Sequence, residues 1–338
     1  MKKLLCLVAT ALIFAACGDN RNYHFFNGEA QGTNYHIIVA SPTSDLEVKI
    51  QEVFDRVDNN LSIFNPDSQI SKINRNEDLT TNHDIATCIT YAKVASTISN
   101  GTYDITIAPL VNLWGFGPAG KVTKEPTQQQ IDSVLEFVGY DLIKNKYHRL
   151  IKDDPRIQLD LSSVAKGHTV DLMCKMLDRE GIEHYLVEIG GEVKCKGIST
   201  RNRFWRVGID NPDYLKIPDA PQTILSLQIP SGMSVATSGN YRNYYVTESG
   251  QRIAHTIDAR TGKPRQTNII SATVLHPSCA TADAYATMLM SMGETDPEKL
   301  KRTCARMGSL SEVIIIYSDE NGKTQIYKSK GADEYIVK

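Results

Sequence analysis

Asp283 and Thr287 stand four residues apart in a run that reads as helix, so their side chains share one face. A carboxylate and a hydroxyl make an oxygen donor pair, which suits a hard cation such as Mg2+. An exposed Asp and a Thr bonded to its own helix backbone would leave the same pattern. A second segment, Leu159 to Gly167, reads as a strand end that delivers Asp160 into a serine-rich turn, with Lys166 and Gly167 at the start of the next helix. Helix openings carry unsatisfied N–H groups, so phosphate or metal could lodge there. A capped strand–helix turn also accounts for the segment, and the glycine spacing of a Walker loop is absent.

His255 to Gly262 is a third polar set, with His255, Asp258, Arg260 and Thr261 on a turn bounded by Gly262 and Pro264. A histidine there could act as a general base near neutral pH, while Asp258 and Thr261 could simply cap the local backbone. Tyr103, Trp114 and Phe116 lie among glycines, where aromatic rings either clasp a flat ligand or pack a loop. Gly190-Gly191 follows a strand and would let backbone approach a ligand.

These residues need elements to position them. His36 to Ala40 reads as a strand, and Leu46, Ile50, Val53, Phe54, Val57 and Leu61 recur at helical spacing. Helices follow over Asp84–Ser99, from a Thr127/Gln130 capping box through Leu135, and from about Val164 to Glu180. Short β-rich runs then dominate: Tyr185–Ile189, Arg203–Ile209, Thr223–Ile229 and Ile269–Leu275. A helix from Thr281 to Met292, another opened by Asp296-Pro297, and a hairpin around Glu320-Asn321-Gly322 close the chain. Without regular βαβ alternation, the pattern predicts an α+β fold, mostly antiparallel sheet packed with helices, in two intimately joined subdomains sharing one core.

The 338 residues are 41% hydrophobic and 22% charged, with a net charge of -2, which gives no basic stripe for nucleic acid. Lys2 and Lys3 precede a short apolar run ending at Ala15-Ala16-Cys17, the form of a secretory signal with a lipobox. The expected organisation is a signal peptide over 1–16, a tether over 17–23 acylated at Cys17, and one domain over 24–338. Such a chain would be exported, on the periplasmic side, and lipid-anchored to a membrane. Cys88, Cys174, Cys195, Cys279 and Cys304 are odd in number and lack paired or metal-type spacing, which fits buried small hydrophobes better than a disulfide scaffold.

In order along the chain, Gly32-Thr33, Ser62 to Ser68, Asp104 to Thr106, Trp114 to Gly117, Asp160 to Gly167, Gly190-Gly191, Thr237 to Gly239, His255 to Gly262 and Ala282 to Thr287 resemble the motifs of the ApbE family. These are the FAD:protein FMN transferases, and the resemblance spans roughly residues 24 to 330. It implies that Asp283 and Thr287 bind Mg2+ by side chain and Ser163 by its backbone carbonyl. Ala286 occupies the place of a second metal-binding Asp in some members, and its methyl cannot ligate. Thr102, Tyr103, Asp104, Asp160 and Lys166 would contact FAD. Phe64, at a place that is often Tyr, would do the same, as would Gln31, where many members have Met. Ile257 would line the flavin pocket, and Ala259 replaces the usual Pro of the His255 turn.

The implied reaction is Mg2+-dependent transfer of FMN from FAD to a Thr or Ser hydroxyl of an acceptor protein, releasing AMP, with His255 taking the hydroxyl proton or orienting the nucleophile. The implied acceptor is a subunit of a membrane redox complex. A FAD pyrophosphatase giving FMN and AMP, a non-catalytic FAD-carrying lipoprotein and a solute-binding lipoprotein are the rival readings. Asp283 is read as a surface ligand whose loss would spare folding.

Overall fold

A computed structural model describes residues 21–120, 122, 124–211, 221–239, 244–246 and 252–337. The signal segment, Cys17 and most of the tether lie outside the described residues. The first half contains β1 (Tyr23–Ala30), β2 (Thr33–Ala40), α1 (Leu46–Leu61), α2 (Gln69–Asn74), α3 (His83–Ile98), α4 (Ala108–Leu113), α5 (Gln128–Leu135), β3 (Ile143–Lys146) and β4 (Arg149–Lys152). Then come α6 (Ser162–Arg179), β5 (Tyr185–Ile189), β6 (Glu192–Lys196), β7 (Trp205–Asp210), β8 (Thr223–Ile229), β9 (Ser234–Gly239), β10 (Tyr244–Val246) and β11 (Arg252–Ala254). The chain closes with β12 (Ile257–Asp258), β13 (Lys263–Pro264), β14 (Ile269–His276), α7 (Cys279–Met292), α8 (Pro297–Met307), β15 (Glu312–Ser318) and β16 (Thr324–Lys328).

The main sheet has eight strands in the order β1-β2-β5-β6-β9-β14-β15-β16. Each neighbouring pair is antiparallel, so the fold is α+β as the strand pattern predicts. Both halves of the chain contribute strands to it. Alternation along each strand sends one set of side chains to each face. Val187 and Ile189 of β5 pack with Val170, Met173 and Leu177 of α6 on one face. Cys195, Val235 and Leu275 pack with Trp205 and Leu227 of the β7–β8 hairpin on the other.

α1 lays Leu46, Ile50, Phe54, Val57 and Leu61 inward, each fully buried side chain contributing about 1.5–3 kcal/mol. α7 is different, because it is buried on nearly every side. It lies against β9, β14, α3 and α6, as a helix that is apolar all round must. Its alanines at 280, 282, 284 and 286 let those neighbours close in. Among the described residues, no helix is long and apolar enough to cross a membrane.

Leu159, read as a strand end, lies in no strand. The Asn74 side chain takes both the N–H and the carbonyl of Leu159, at 2.7 and 2.9 Å, leaving only an isolated bridge between Ile107 and Gln158. α6 starts at Ser162, which places Lys166 and Gly167 one turn inside the helix and not at its start.

Candidate functional site

Gly167 brings the two central helices together. A Cβ there would overlap the Cys279 carbonyl oxygen and come 2.8 Å from Asp283 Cβ, so only glycine lets α6 and α7 meet this closely. The Gly167 N–H donates to Asp283 Oδ2 at 2.9 Å. Regular helix geometry directs that N–H at the Ser163 carbonyl, four residues earlier, so a carboxylate and a carbonyl converge on one donor. Asp283 is 1% exposed, which removes the reading of an exposed Asp and that of a surface ligand. Thr287 follows one turn later, its hydroxyl 3.0 Å from that of Ser238 on β9.

Charge within this seam is unbalanced. Lys166 Nζ lies 3.5 Å from Glu192 Oε2 and 3.9 Å from Asp283 Oδ1, one cation between two buried carboxylates. Burial raises both carboxyl pKa values, against the pull of Lys166. Burial opposes the charge of Lys166, but Asp283 and Glu192 outweigh it and raise its pKa. Glu192 Oε2 has no hydrogen-bond partner. An orphaned buried oxygen, and two buried carboxyl groups for one lysine beside further oxygen donors, fit a hard divalent cation.

Glu192 has no place in the sequence reading. Its one signal was a charged residue directly after the Gly190-Gly191 turn. Both glycines have positive φ, 63° and 102°, and make the two-residue connection from β5 to β6 that antiparallel pairing favours.

The other candidate residues gather around the same two helices. Tyr103 is buried, its phenolic oxygen 2.8 Å from Ser163 Oγ. Thr102 accepts the Ala259 N–H at its carbonyl and a bond from Ser291 of α7 at its hydroxyl, which ties the 102–104 loop to the His255 turn. Gln31, at the tip of the β1–β2 hairpin, is exposed and donates to Thr169 Oγ1 of α6 at 2.8 Å. Asp160 accepts from the Ser162 N–H. His255 is half-buried, its ring edge-on to Phe116. Phe64 is 65% exposed, next to Ile63, which lines a small cavity with Gln158.

Several candidates serve the scaffold. Asp104 accepts from the Thr106 N–H and hydroxyl at one oxygen and from the Tyr140 N–H at the other. Burial nevertheless pushes its carboxyl up to about 6. Ile257 and Trp114 pack together with Leu110, Ile131 and Ile253, and the indole N–H donates to the Gly262 carbonyl at 2.8 Å. Trp114 therefore packs this loop. Ala286 is fully buried in the main apolar cluster and brings no donor.

A cavity of about 800 Å3 on the opposite face of the sheet meets this site only at its end, through Gly190, Gly191 and Thr237. Among the described residues, no three His, Cys, Asp or Glu side chains form a metal cluster, so a cation here would need hydroxyl and carbonyl oxygens beside the Asp283 carboxylate.

Residues 31–310 match the model of the ApbE family. The FAD:protein FMN transferase of Vibrio cholerae is 33% identical over the full length of both chains. That of Escherichia coli is 33% identical over 95% of this chain and 94% of its own. The solved flavin transferase ApbE of Vibrio cholerae superposes with a TM-score of 0.82 at 30% identity, covering 93% of this chain and 99% of that one. The apo flavinyl transferase ApbE of Pseudomonas stutzeri gives 0.80 at 28% identity over 93% and 97%.

Proposed function

The chain belongs to the ApbE family and is a FAD:protein FMN transferase; on that premise we propose that it moves FMN, with Mg2+, onto a Thr or Ser hydroxyl of an acceptor protein and releases AMP. The observation that carries this reading is the Gly167 N–H bond to Asp283 at 2.9 Å, in a seam that holds two buried carboxyl groups for one lysine.

Asp283, Thr287 and the Ser163 carbonyl would hold the cation. Mg2+ bound there would neutralise charge on the FAD diphosphate. At the α6 opening Asp160 takes the Ser162 N–H and N-cap Leu161 brings no capping side chain, so the positive end of the helix dipole supports an anion there. Lys166 supplies a fixed positive charge one turn further on. Asp160 and Tyr103 hold the α6 opening in place by their bonds to Ser162 and Ser163. The acceptor oxygen forms a bond to the FMN-side phosphorus as the bond to the AMP oxygen breaks. His255 takes the hydroxyl proton.

We also propose that the chain is exported and held at a membrane through acylated Cys17, and that its acceptor is a subunit of a membrane redox complex. The Lys2-Lys3 start and the Ala15-Ala16-Cys17 junction support the anchor.

The test incubates the purified chain with FAD, Mg2+ and a candidate acceptor subunit. Mass spectrometry should find FMN joined to a Thr or Ser, with one AMP per modified acceptor. Equal AMP and free FMN with an unmodified acceptor would overturn transfer in favour of hydrolysis.

A further inference from the structure

Glu192 and Lys194 stand two apart on β6, so strand alternation puts both side chains on the face that α6 covers. Each meets an opposite charge on that helix. Lys194 Nζ donates to Asp171 Oδ1 at 2.6 Å and to the Pro277 carbonyl at 2.7 Å, a hydrogen-bonded pair that docks strand against helix. Lys166 Nζ lies 3.5 Å from Glu192 Oε2, and that oxygen is buried without a hydrogen bond. The same helix and strand thus carry one tight ion pair and one loose one, and the loose pair is the one at the candidate metal site.

A docking role does not account for the loose pair. A buried carboxylate oxygen that has lost its water and gained no hydrogen bond costs stability. Lys166 has a second neighbour in Asp283 Oδ1, at 3.9 Å, and both of its carboxylates stand beyond the roughly 2.7–3.2 Å of an ordinary N–H···O bond. The other oxygen of Asp283 is taken by the Gly167 N–H. Oδ1 is therefore the oxygen that a divalent cation and the Lys166 ammonium would contest, and two positive charges on one oxygen repel. A lysine with no other anion in reach would close on Asp283. Glu192 is that other anion, and among the described residues its one ion pair is with Lys166.

We propose that Glu192 is a positioning residue that holds Lys166 back from Asp283 and so leaves Asp283 open to the cation. The proposal rests on the cation reading above. Glu192 acts through the lysine and not as a ligand. With Glu192 beside it, Lys166 keeps a counter-charge when Asp283 is occupied, and its own charge stays one turn inside α6.

The test measures Mn2+ binding to the full chain by electron paramagnetic resonance, with FAD absent, in the parent, Glu192→Gln, Lys166→Met and the double variant. Mn2+ suits the same oxygen ligands as Mg2+. Glu192→Gln should bind it at least about tenfold more weakly, the usual scale for a residue that supports a metal site from behind. Lys166→Met should bind it no more weakly than the parent, because the contesting charge is gone. In the Lys166→Met background, adding Glu192→Gln should change the affinity by less than about twofold. Glu192→Asp, which keeps the charge but draws it back by one methylene, should fall between the parent and Glu192→Gln, and it carries the comparison if Glu192→Gln does not fold. Parent-like binding by both Glu192 variants, or weaker binding by Lys166→Met, would overturn the proposal. So would an equal loss from Glu192→Gln with and without the lysine, which would make Glu192 a ligand itself. A parent that binds no Mn2+ would instead remove the cation from this seam, and with it the reading on which the proposal rests.

Discussion

The Gly167 N–H reaches the Asp283 carboxylate at 2.9 Å across a helix seam with no room for a β-carbon. That contact sets the sign of a simple substitution. In an open helix, Gly→Ala would stabilise by roughly 0.5–1 kcal/mol through backbone entropy. At position 167 the added methyl meets the Cys279 backbone, 2.7 Å from its carbonyl carbon. Gly167→Ala should therefore destabilise by about 1–3 kcal/mol, the usual cost of overpacking, read as a lower midpoint in denaturant. A higher midpoint would mean that the seam is looser than the structure has it.

Asp283→Asn separates metal binding from folding. The amide oxygen can still accept the Gly167 N–H, and the change leaves Lys166 paired with Glu192 alone. In EDTA the variant should melt no lower than the parent, because one of two mutually repelling carboxylates is gone. Added Mg2+ should raise the parent's melting temperature by a few degrees, as a ligand bound only to the native state does, and leave the variant's unchanged. FMN transfer should fall about a hundredfold or more. A variant that Mg2+ still stabilises would remove Asp283 from the ligand set.

The parts of this site legible in the sequence were those written in local spacing. The i,i+4 pair Asp283/Thr287, the Thr127/Gln130 capping box and the Asp296 cap all stand as spacing predicts. What stayed hidden depends on contacts far along the chain. Glu192 gains its meaning from Lys166 and Asp283, which only strand pairing and helix packing bring to it. The burial of Asp283 follows from α7 being covered on all sides, which the local spacing of Asp283 and Thr287 does not reveal. The β3–β4 hairpin turns through Tyr147 and His148, both at positive φ, without the Asn-Gly or Asp-Gly signal that marks such turns.

His255 should act on rate more than on binding. His255→Gln keeps a polar side chain beside Phe116 but takes no proton at neutral pH. Transfer kcat should drop by about 10²–10⁴-fold, the usual scale of a general base, while the Kd for FAD changes little. Normal kcat at saturating FAD, Mg2+ and acceptor would reject the proton-accepting role. A matched loss of FAD affinity would make His255 a binding residue.

Asp104 predicts a pH dependence of stability with a definite sign. Burial lifts its carboxyl from 3.8 to about 6, so between those values the folded protein holds a proton that the unfolded chain has released. A raised folded pKa contributes stability that is fully present below the unfolded value and is lost as pH rises through the folded one. Asp104 should therefore favour folding most below about pH 4, and about 3 kcal/mol of that should be gone by pH 7, at 1.36 kcal/mol per pH unit. Asp104→Asn abolishes the titration but turns an amide nitrogen toward a backbone N–H of Thr106 or Tyr140, a direct cost of about 1–3 kcal/mol. Urea denaturation at pH 4.5 and pH 7 should then show the parent's advantage over Asp104→Asn shrinking as pH rises. An advantage that grows with pH would mean that the bonds from Thr106 and Tyr140 outweigh burial and hold Asp104 ionised.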